Sequence, residues 1–249
     1  MQPEEKLLLS RAEDTLRLAE KHYSVKTLGF LTPAERVFLQ KHLYAGQDMK
    51  LWYDGGFDEA ERTLLVCAPD FISPESHEYL AVLECKGRDL EGLSHRDYLG
   101  SLMGLGIVRE SIGDIVVLPE KAFIIIKPEQ ADYLLQNLTK VGRRGIRLQV
   151  CDVQEVVLPQ RETKEINTTV SALRLDSVVA SAIGASRGKT AEVIRGGLVT
   201  LNWEPEEELS RLLKEGDVFS VRGYGRFCLS RVGGTTRKGR QGITISRYI

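Results

Sequence analysis

The chain has 249 residues, which is enough for two or three small domains. Hydrophobic residues make up 42% and charged residues 28%, a composition that argues against a disordered or membrane-spanning protein. The formal net charge is −1, but residues 171–249 contain 13 Lys and Arg against 8 Asp and Glu, so this part carries +5 and the remainder −6. A basic C-terminal part on a mildly acidic body fits local capture of a polyanion, although chance variation in surface charge explains the numbers about equally well.

The cysteines indicate the compartment. Cys67, Cys85, Cys151 and Cys228 are far apart in apolar, strand-like runs, which favours buried free thiols in a reducing environment. No apolar run approaches the ~18 residues of a membrane span, and the acidic start lacks the layout of a signal or transit peptide. We therefore expect a cytoplasmic protein without membrane insertion, with the plastid stroma as the alternative for a processed form.

Residues 1–58 are predicted to form an N-terminal helical segment. One helical face is marked by Leu8, Ala12, Leu16, Ala19 and Tyr23. Thr32, Pro33 and Glu35 are typical of a helix start, with a capping Thr, a Pro in the first turn and a Glu three residues after the cap. The pattern favours helices throughout residues 3–50.

Residues 59–160 are predicted to form a separate α/β domain. Strand patterns occur at residues 63–67, 79–85, 114–118, 122–127 and 146–150, and helix patterns at residues 94–103 and 129–140. Ser94 is the expected cap of the first helix, and Pro128 starts the second. The order β-β-α-β-β-α-β indicates helices on one face of a sheet, close to a ferredoxin-like or RRM-like sandwich, and hence an α+β fold class. The polar residues 160–169 are predicted to be a linker.

Residues 171–249 are predicted to form a small third domain. Apolar residues at helical spacing end at Gly184, and Ser186 is the expected N-cap of a second helix. Short strands follow at residues 198–202 and 218–222, and residues 226–232 and 243–248 are expected to pair as a hairpin. The glycine-rich loop between them is predicted to be mobile and positively charged.

Two arginines start the two helices of this domain. Arg174 and Arg187 lie where free backbone N–H groups meet a fixed cation, an arrangement that holds phosphate and indicates nucleic-acid binding. The candidate RNA-contacting residues are Arg174, Ser186, Arg187, Lys189, Arg195, Arg222, Tyr224, Arg226, Arg237, Lys238 and Arg240. Arg187 is the strongest of them, and its structural alternative is an ion pair with Asp176 or Glu192. Tyr224 either stacks on a base or completes the core edge, and Arg174 and Arg222 either bind RNA or hold the domain together.

These residues also carry a family resemblance. Arg174-Leu175-Asp176, Ser186-Arg187, the pattern Gly-x-Val-x-x-Asn at residues 197–202 and Gly-Asp-x-x-x-Val at residues 216–221 resemble the alpha-L RNA-binding domain of the S-four type. The loop after Asn202 departs from that domain because it is acidic, so we expect that edge to face away from phosphate. Residues 93–107, 111–115 and 137–142 are similar to the middle domain of the YlmH family. The basic residues 236–240 look more like a branch in photosynthetic organisms named as a photosystem II protein with this RNA-binding domain.

The resemblance implies a non-enzymatic protein that binds structured RNA, either rRNA or tRNA, at the large ribosomal subunit in the rescue of stalled nascent chains. One alternative is a protein-binding middle domain tethered through RNA, for example in photosystem assembly. Another is an RNA-modifying activity in residues 60–160. The sequence lacks the signatures of pseudouridine synthases, tyrosyl-tRNA synthetases and methyltransferases, and its four histidines have no metal-ligand spacing, so neither a cofactor nor a metal is predicted.

Overall fold

The computed structural model describes residues 1–73, 77–159 and 163–249. The chain divides into two compact units, Met1–Pro159 and Gln160–Ile249, called here the N-terminal and C-terminal units. Both contain helices and strands, which confirms the predicted α+β class with helices at the N-terminus, a central sheet and a small C-terminal domain. Within the described residues, no helix combines the length and the apolar character needed to cross a membrane.

The N-terminal unit begins with a small sheet under two helices. Its elements are α1 Pro3–His22, β1 Lys26–Leu31, α2 Pro33–His42, β2 Met49–Asp54 and β3 Thr63–Pro69. The three antiparallel strands have the order β1-β3-β2. The helix start at Thr32 is confirmed, since its Oγ1 accepts from the N–H of Glu35 at 3.3 Å. The prediction that residues 3–50 are helical throughout is wrong, because β1 and the first residues of β2 are fixed by pairing with the distant strand β3 and not by local pattern.

The central sheet follows in the same unit. Its elements are β4 Ala81–Gly87, α3 His95–Gly104, β5 Ile112–Val117, β6 Lys121–Ile126, α4 Ala131–Asn137, β7 Lys140–Val141 and β8 Arg144–Cys151. The strand order is β5-β6-β4-β8-β7 with antiparallel pairs, so β4-α3-β5-β6-α4-β8 forms the ferredoxin-like arrangement. The strand predicted at residues 63–67 exists, but it belongs to the first sheet. Ser94 is the N-cap of α3, where its N–H donates to Asp97 at 2.7 Å.

The two faces of the central sheet are covered differently. One face packs against α3 and α4 through Leu83, Ile124, Leu102 and Leu134. The opposite face packs against the first sheet, and the side chains that meet there are Phe30, Leu64, Val66, Val82, Phe123 and Ile125. Phe123 is therefore fully buried between two sheets. The N-terminal unit is thus a layered structure in which the first sheet covers part of the ferredoxin-like sheet.

The C-terminal unit packs two helices against one sheet. Its elements are β9 Thr163–Val170, α5 Leu175–Ile183, α6 Arg187–Arg195, β10 Val199–Leu201, β11 Glu204–Pro205, β12 Val218–Val221, β13 Gly225–Thr235 and β14 Gln241–Tyr248. The strand order is β11-β10-β12-β13-β14-β9. Val178, Ile194, Phe219, Phe227 and Ile245 are at most 1% exposed in its core, so the helix pair rests on the middle of the sheet.

The linker predicted before this unit is wrong, whereas the predicted hairpin is confirmed with longer strands. Residues 163–169 of the predicted linker belong to β9, which pairs with β14 over its whole length, and residues 160–162 lie outside the described residues. The hairpin strands also reach further than predicted and leave only residues 236–240 as a turn, closed by the N–H of Thr236 donating to the O of Arg240 at 2.7 Å. Both differences have one cause, because Thr-rich and Gly-rich stretches become strands only when a partner strand supplies their hydrogen bonds.

The pairing of β9 predicts where an independent C-terminal fragment begins. Val170 is 2% exposed and Ile166 packs against the same core, so a fragment of residues 171–249 loses apolar burial as well as the strand. We expect the fragment of residues 163–249 to be more stable by at least ~2 kcal/mol, measured by urea unfolding. The variant Val170→Ala in the longer fragment should lie between the two. Equal stability of both fragments would contradict the role of β9.

Candidate nucleic-acid interface

The start of α6 is fixed by two hydroxyl groups. The helix α5 ends at Gly184, whose φ of +63° suits glycine, and the chain turns directly into the next helix. Ser186 is the N-cap, as predicted, and its Oγ accepts from the N–H of Lys189 at 3.4 Å. The fully buried Thr190 donates its hydroxyl to the O of Ser186 at 2.9 Å. The first turn of α6, which begins at Arg187, is thereby held in one position.

The carboxylates near this turn are bound to other cations. Arg174 donates to both oxygens of Asp176 at 3.1 and 2.8 Å. Lys189 lies 3.4 Å from Glu192. Arg187 is exposed and has no ion pair with any residue in the described parts of the chain. Its two predicted structural partners are therefore already occupied.

The remaining candidates near the helix pair differ in exposure. Arg195 and Arg222 are exposed, and the backbone N–H of Arg222 donates to the O of Leu198 at 2.9 Å. Arg226 is half-buried on β13, opposite Ser220. Tyr224 is half-buried against the core, so the structure places it at the core edge.

The predicted cluster of three cations in the C-terminal hairpin is divided by the structure. Arg237 and Lys238 are exposed in the turn. Arg240 instead donates to the Oγ1 of Thr169 at 2.9 Å and also to the O of Thr169. Arg240 thus ties the turn to β9, whereas Arg237 and Lys238 have no partner among the described residues. The mobility of the loop stays a prediction.

Asn202 and Asp217 close the strands behind the helix pair. Asn202 has a φ of +48°, its Nδ2 donates to Asp217 at 2.9 Å, and its Oδ1 accepts from the N–H of Val218 at 3.0 Å. The other oxygen of Asp217 accepts from the N–H of Lys214 at 2.7 Å. These two residues of the sequence motif are thus structural. The acidic segment after Asn202 continues into the edge strand β11, at the opposite edge of the sheet from β9.

Residues 173–219 match the family model described as "S4 domain", and residues 75–155 match the one described as "Putative RNA-binding domain in YlmH". Over 247 residues the chain is 34% identical to "Ribosome-associated protein quality control protein P2" of Bacillus subtilis (strain 168), covering 98% of this chain and 95% of that relative. The chain belongs to the YlmH family. "Cell division protein ylmH from Streptococcus pneumoniae" shares the fold at a TM-score of 0.52 and 20% identity, covering 63% of this chain and 96% of that chain.

The YlmH family membership and the S4 domain confirm the resemblance in residues 93–142 and 174–221. The strands β9, β13 and β14 lie outside the matched S4 segment, so the hairpin with Arg237 and Lys238 extends this domain. The likeness of residues 236–240 to a photosynthetic branch of the YlmH family stays a prediction.

Sequence reasoning missed a polar cluster in the N-terminal unit of this YlmH-family chain. Asp54 is 9% exposed and accepts from the hydroxyl of Tyr79 at 2.6 Å, while His77 Nδ1 lies 2.6 Å from the same carboxylate. Tyr79 in turn accepts from the indole N–H of Trp52 at 2.9 Å. Asp54 precedes two glycines, a pattern typical of a turn, and its partners lie too far along the chain for any spacing signal.

The thiols of the YlmH-family chain are all free. Cys67 and Cys85 are buried as expected, whereas Cys151 and Cys228 are half-buried. Burial raises the pKa of Cys67 and of Cys85 to about 12, so both thiols are protonated and poor nucleophiles at neutral pH. In the described parts of the chain, no three His, Cys, Asp or Glu side chains are arranged to hold a metal ion.

The contacts of Asn202 predict a stability effect. The variant Asn202→Ala removes the acceptor of the Val218 N–H. It also places an alanine, which makes no side-chain hydrogen bond, at a positive φ. We therefore expect a loss of ~1–3 kcal/mol in unfolding free energy. The variant Asn202→Gly loses the same hydrogen bonds but tolerates the φ, so it should lose less. Urea unfolding of the full chain measures both. An unchanged midpoint for Asn202→Ala would show that the contacts are not stabilising.

Proposed function

We propose that this YlmH-family protein binds structured RNA through its S4 domain, associates with the ribosome and acts in the cytoplasm as a binding protein rather than an enzyme. The observation that carries the proposal is Arg187, exposed at the fixed start of α6 and without an ion pair among the described residues. One matched family model is named for an RNA-binding domain and the other for the S4 domain. The relative from Bacillus subtilis is ribosome-associated by name.

The start of α6 has the chemistry of a phosphate site. The N–H groups of Arg187 and Gly188 precede the first intrahelical bonds, and no described residue accepts from them. Gly188 has open space where a Cβ would lie, so a phosphate oxygen can approach the backbone closely. The helix dipole and the guanidinium of Arg187 act on the same anion. Arg195 and Arg222 add exposed positive charge on the same domain.

The partner RNA is proposed from the combination of domain and relative. An S4 domain that contacts phosphates from a helix start recognises the shape of folded RNA more than its sequence, which suits rRNA and tRNA. We propose the large ribosomal subunit as the site of association and the quality control of stalled nascent chains as the role. The name of the relative supports ribosome association and protein quality control, and the finer details follow from the family resemblance. Ribosome co-sedimentation followed by sequencing of crosslinked RNA tests this, with large-subunit rRNA and tRNA as the expected products. Enrichment of small-subunit rRNA alone would overturn the proposed site.

A change at Arg187 tests the carrying observation. The variant Arg187→Glu removes a charge-assisted contact and adds repulsion, so RNA affinity should fall by more than ~1 kcal/mol, about fivefold in Kd. The variant Arg211→Glu makes the same charge change beside the acidic segment, where Arg211 pairs with Glu206, and should bind nearly as the parent does. Fluorescence anisotropy with a labelled tRNA transcript measures the affinities. Equal binding by folded Arg187→Glu protein would remove Arg187 from the interface.

The hairpin turn gives a second test of the proposal. Neutralising Arg237 and Lys238 to Gln should flatten the slope of log affinity against log salt by roughly 0.7–0.9 for each phosphate that the variant no longer neutralises. The preference between RNA sequences should hardly change, because exposed point charges position RNA and do not read bases. Arg240→Gln is the matched control variant. It should lower the stability of the hairpin but leave the salt slope nearly unchanged, since Arg240 is bound to Thr169. A slope identical to the parent for the double variant would mean that the turn faces solvent.

A further inference from the structure

Three cations lie side by side across the central sheet of the N-terminal unit. Lys86 on β4 is in register with Lys121 on β6 and with Arg147 on β8. Facing residues on neighbouring antiparallel strands have Cβ atoms roughly 5 Å apart, and like charges at that distance are destabilising. We call Lys121, Lys86 and Arg147 the basic row.

One buried carboxylate holds two members of the row in place. Glu84 is 3% exposed, and its oxygens lie 2.8 Å from Lys86 and 3.0 Å from Lys121. The hydrogen bond from Lys86, with those from Lys121 and Gln149, lowers the pKa of Glu84 to about 2 despite its burial. Glu84 is therefore ionised at neutral pH, and the three cations of the row together with this one carboxylate carry a net charge of about +2.

The row lies on the part of the sheet face that the first sheet leaves open. On that same face Val82, Phe123 and Ile125 are buried against the first sheet. The ring of Phe123 lies under the ammonium of Lys121, 4.7 Å from its centroid. Phe123 is therefore unable to stack on a base, although RRM domains use aromatic side chains of this sheet for that purpose. The charged end of the face is accessible, with the Lys86 side chain 55% exposed.

The neighbouring edge of the sheet extends this positive surface. Residues 138–151 contain Lys140, Arg143, Arg144 and Arg147 but no Asp or Glu. Arg144 donates to the backbone oxygens of Asp89 and Glu91, which makes it structural. Arg143 and Arg147 are exposed and have no ion pair with any residue among those that the structure describes. On the other side of the row, Glu120 precedes Lys121, so the positive surface continues along β8 and not along β6.

We propose that the basic row, continued by Arg143, is a second RNA-contact surface, which binds phosphates of the RNA backbone on the central domain. The inference rests on the proposed function. The family model matched to residues 75–155 is named for RNA binding, and the inference adds which surface of this domain makes the contact and which groups of the RNA it binds. Contacts here are to phosphates and not to bases, because the ring of Phe123 on this part of the face is covered by Lys121 and the first sheet. The surface therefore strengthens binding to any RNA that reaches it and makes that binding more salt-dependent.

The test changes only the cations that have no structural partner among the described residues. In the full chain, Arg143→Gln with Arg147→Gln should weaken binding of a labelled tRNA transcript roughly three- to tenfold and flatten the salt slope by roughly 0.7–0.9 for each phosphate left without its cation. Lys86 and Lys121 stay in place, because their removal would leave the buried Glu84 without a counter-ion. The matched control is Lys6→Gln with Lys21→Gln, which makes the same charge change at exposed positions of α1.

The outcomes separate this surface from the S4 domain. Arg143→Lys with Arg147→Lys should keep the parent slope, because charge and not shape is required. Suppose that the variant Arg143→Gln with Arg147→Gln binds RNA with the affinity and salt slope of the control variant in α1, while Arg187→Glu still loses affinity. The proposal of a second RNA-contact surface is then wrong, and the proposal for the S4 domain stands. If the parent protein itself fails to bind RNA, both proposals are overturned.

Discussion

The position of the first turn of α6 depends on one buried hydroxyl group. Thr190 is fully buried among apolar residues, and an unpaired hydroxyl there would cost about 1–3 kcal/mol. Its bond to the O of Ser186 removes that cost and at the same time fixes the residue that caps the helix. Because Ser186 also accepts from Lys189, the backbone at Arg187 has little freedom left. An interface built on rigid backbone loses less conformational entropy on binding than one built on a loop.

Ion pairing within the C-terminal unit then selects which cations remain available. Asp176 binds Arg174 and Glu192 binds Lys189, so the guanidinium of Arg187 is left facing solvent. In the same way Thr169 holds Arg240 and leaves Arg237 and Lys238 in the turn. Near each exposed cation, a second cation is therefore held by a contact within the unit: Lys189 near Arg187, and Arg240 near Arg237 and Lys238. The net charge of the unit does not distinguish these two kinds of cation, since a paired and an unpaired cation contribute equally to the net charge.

The parts of the structure that were predicted from sequence are those decided by local chemistry. A Gly at the end of α5, a Ser before α6 and a Thr-Pro-x-Glu start of α2 act within a few residues, so their patterns were sufficient. The strands β1 and β9 were missed because each exists through a partner distant in sequence. The Asp54 cluster and the basic row were missed for the same reason. Lys86, Lys121 and Arg147 are brought together only by the register of three strands, and the acidic total of the N-terminal part concealed them.

The two surfaces proposed here differ in what holds their charges. Arg187 uses backbone N–H groups and a helix dipole, which require the folded helix but no second charge. The basic row instead requires Glu84, since three cations in register repel one another unless a carboxylate lies among them. A phosphate that approaches Lys86 or Lys121 meets a cation that Glu84 already orders, so little side-chain entropy is lost on contact with these two side chains. Because both surfaces belong to one chain, an RNA held by the S4 domain meets the row at a raised effective concentration wherever its shape allows both contacts. Weak, sequence-independent contacts at the row then suffice to favour RNAs of the right size and shape over short fragments.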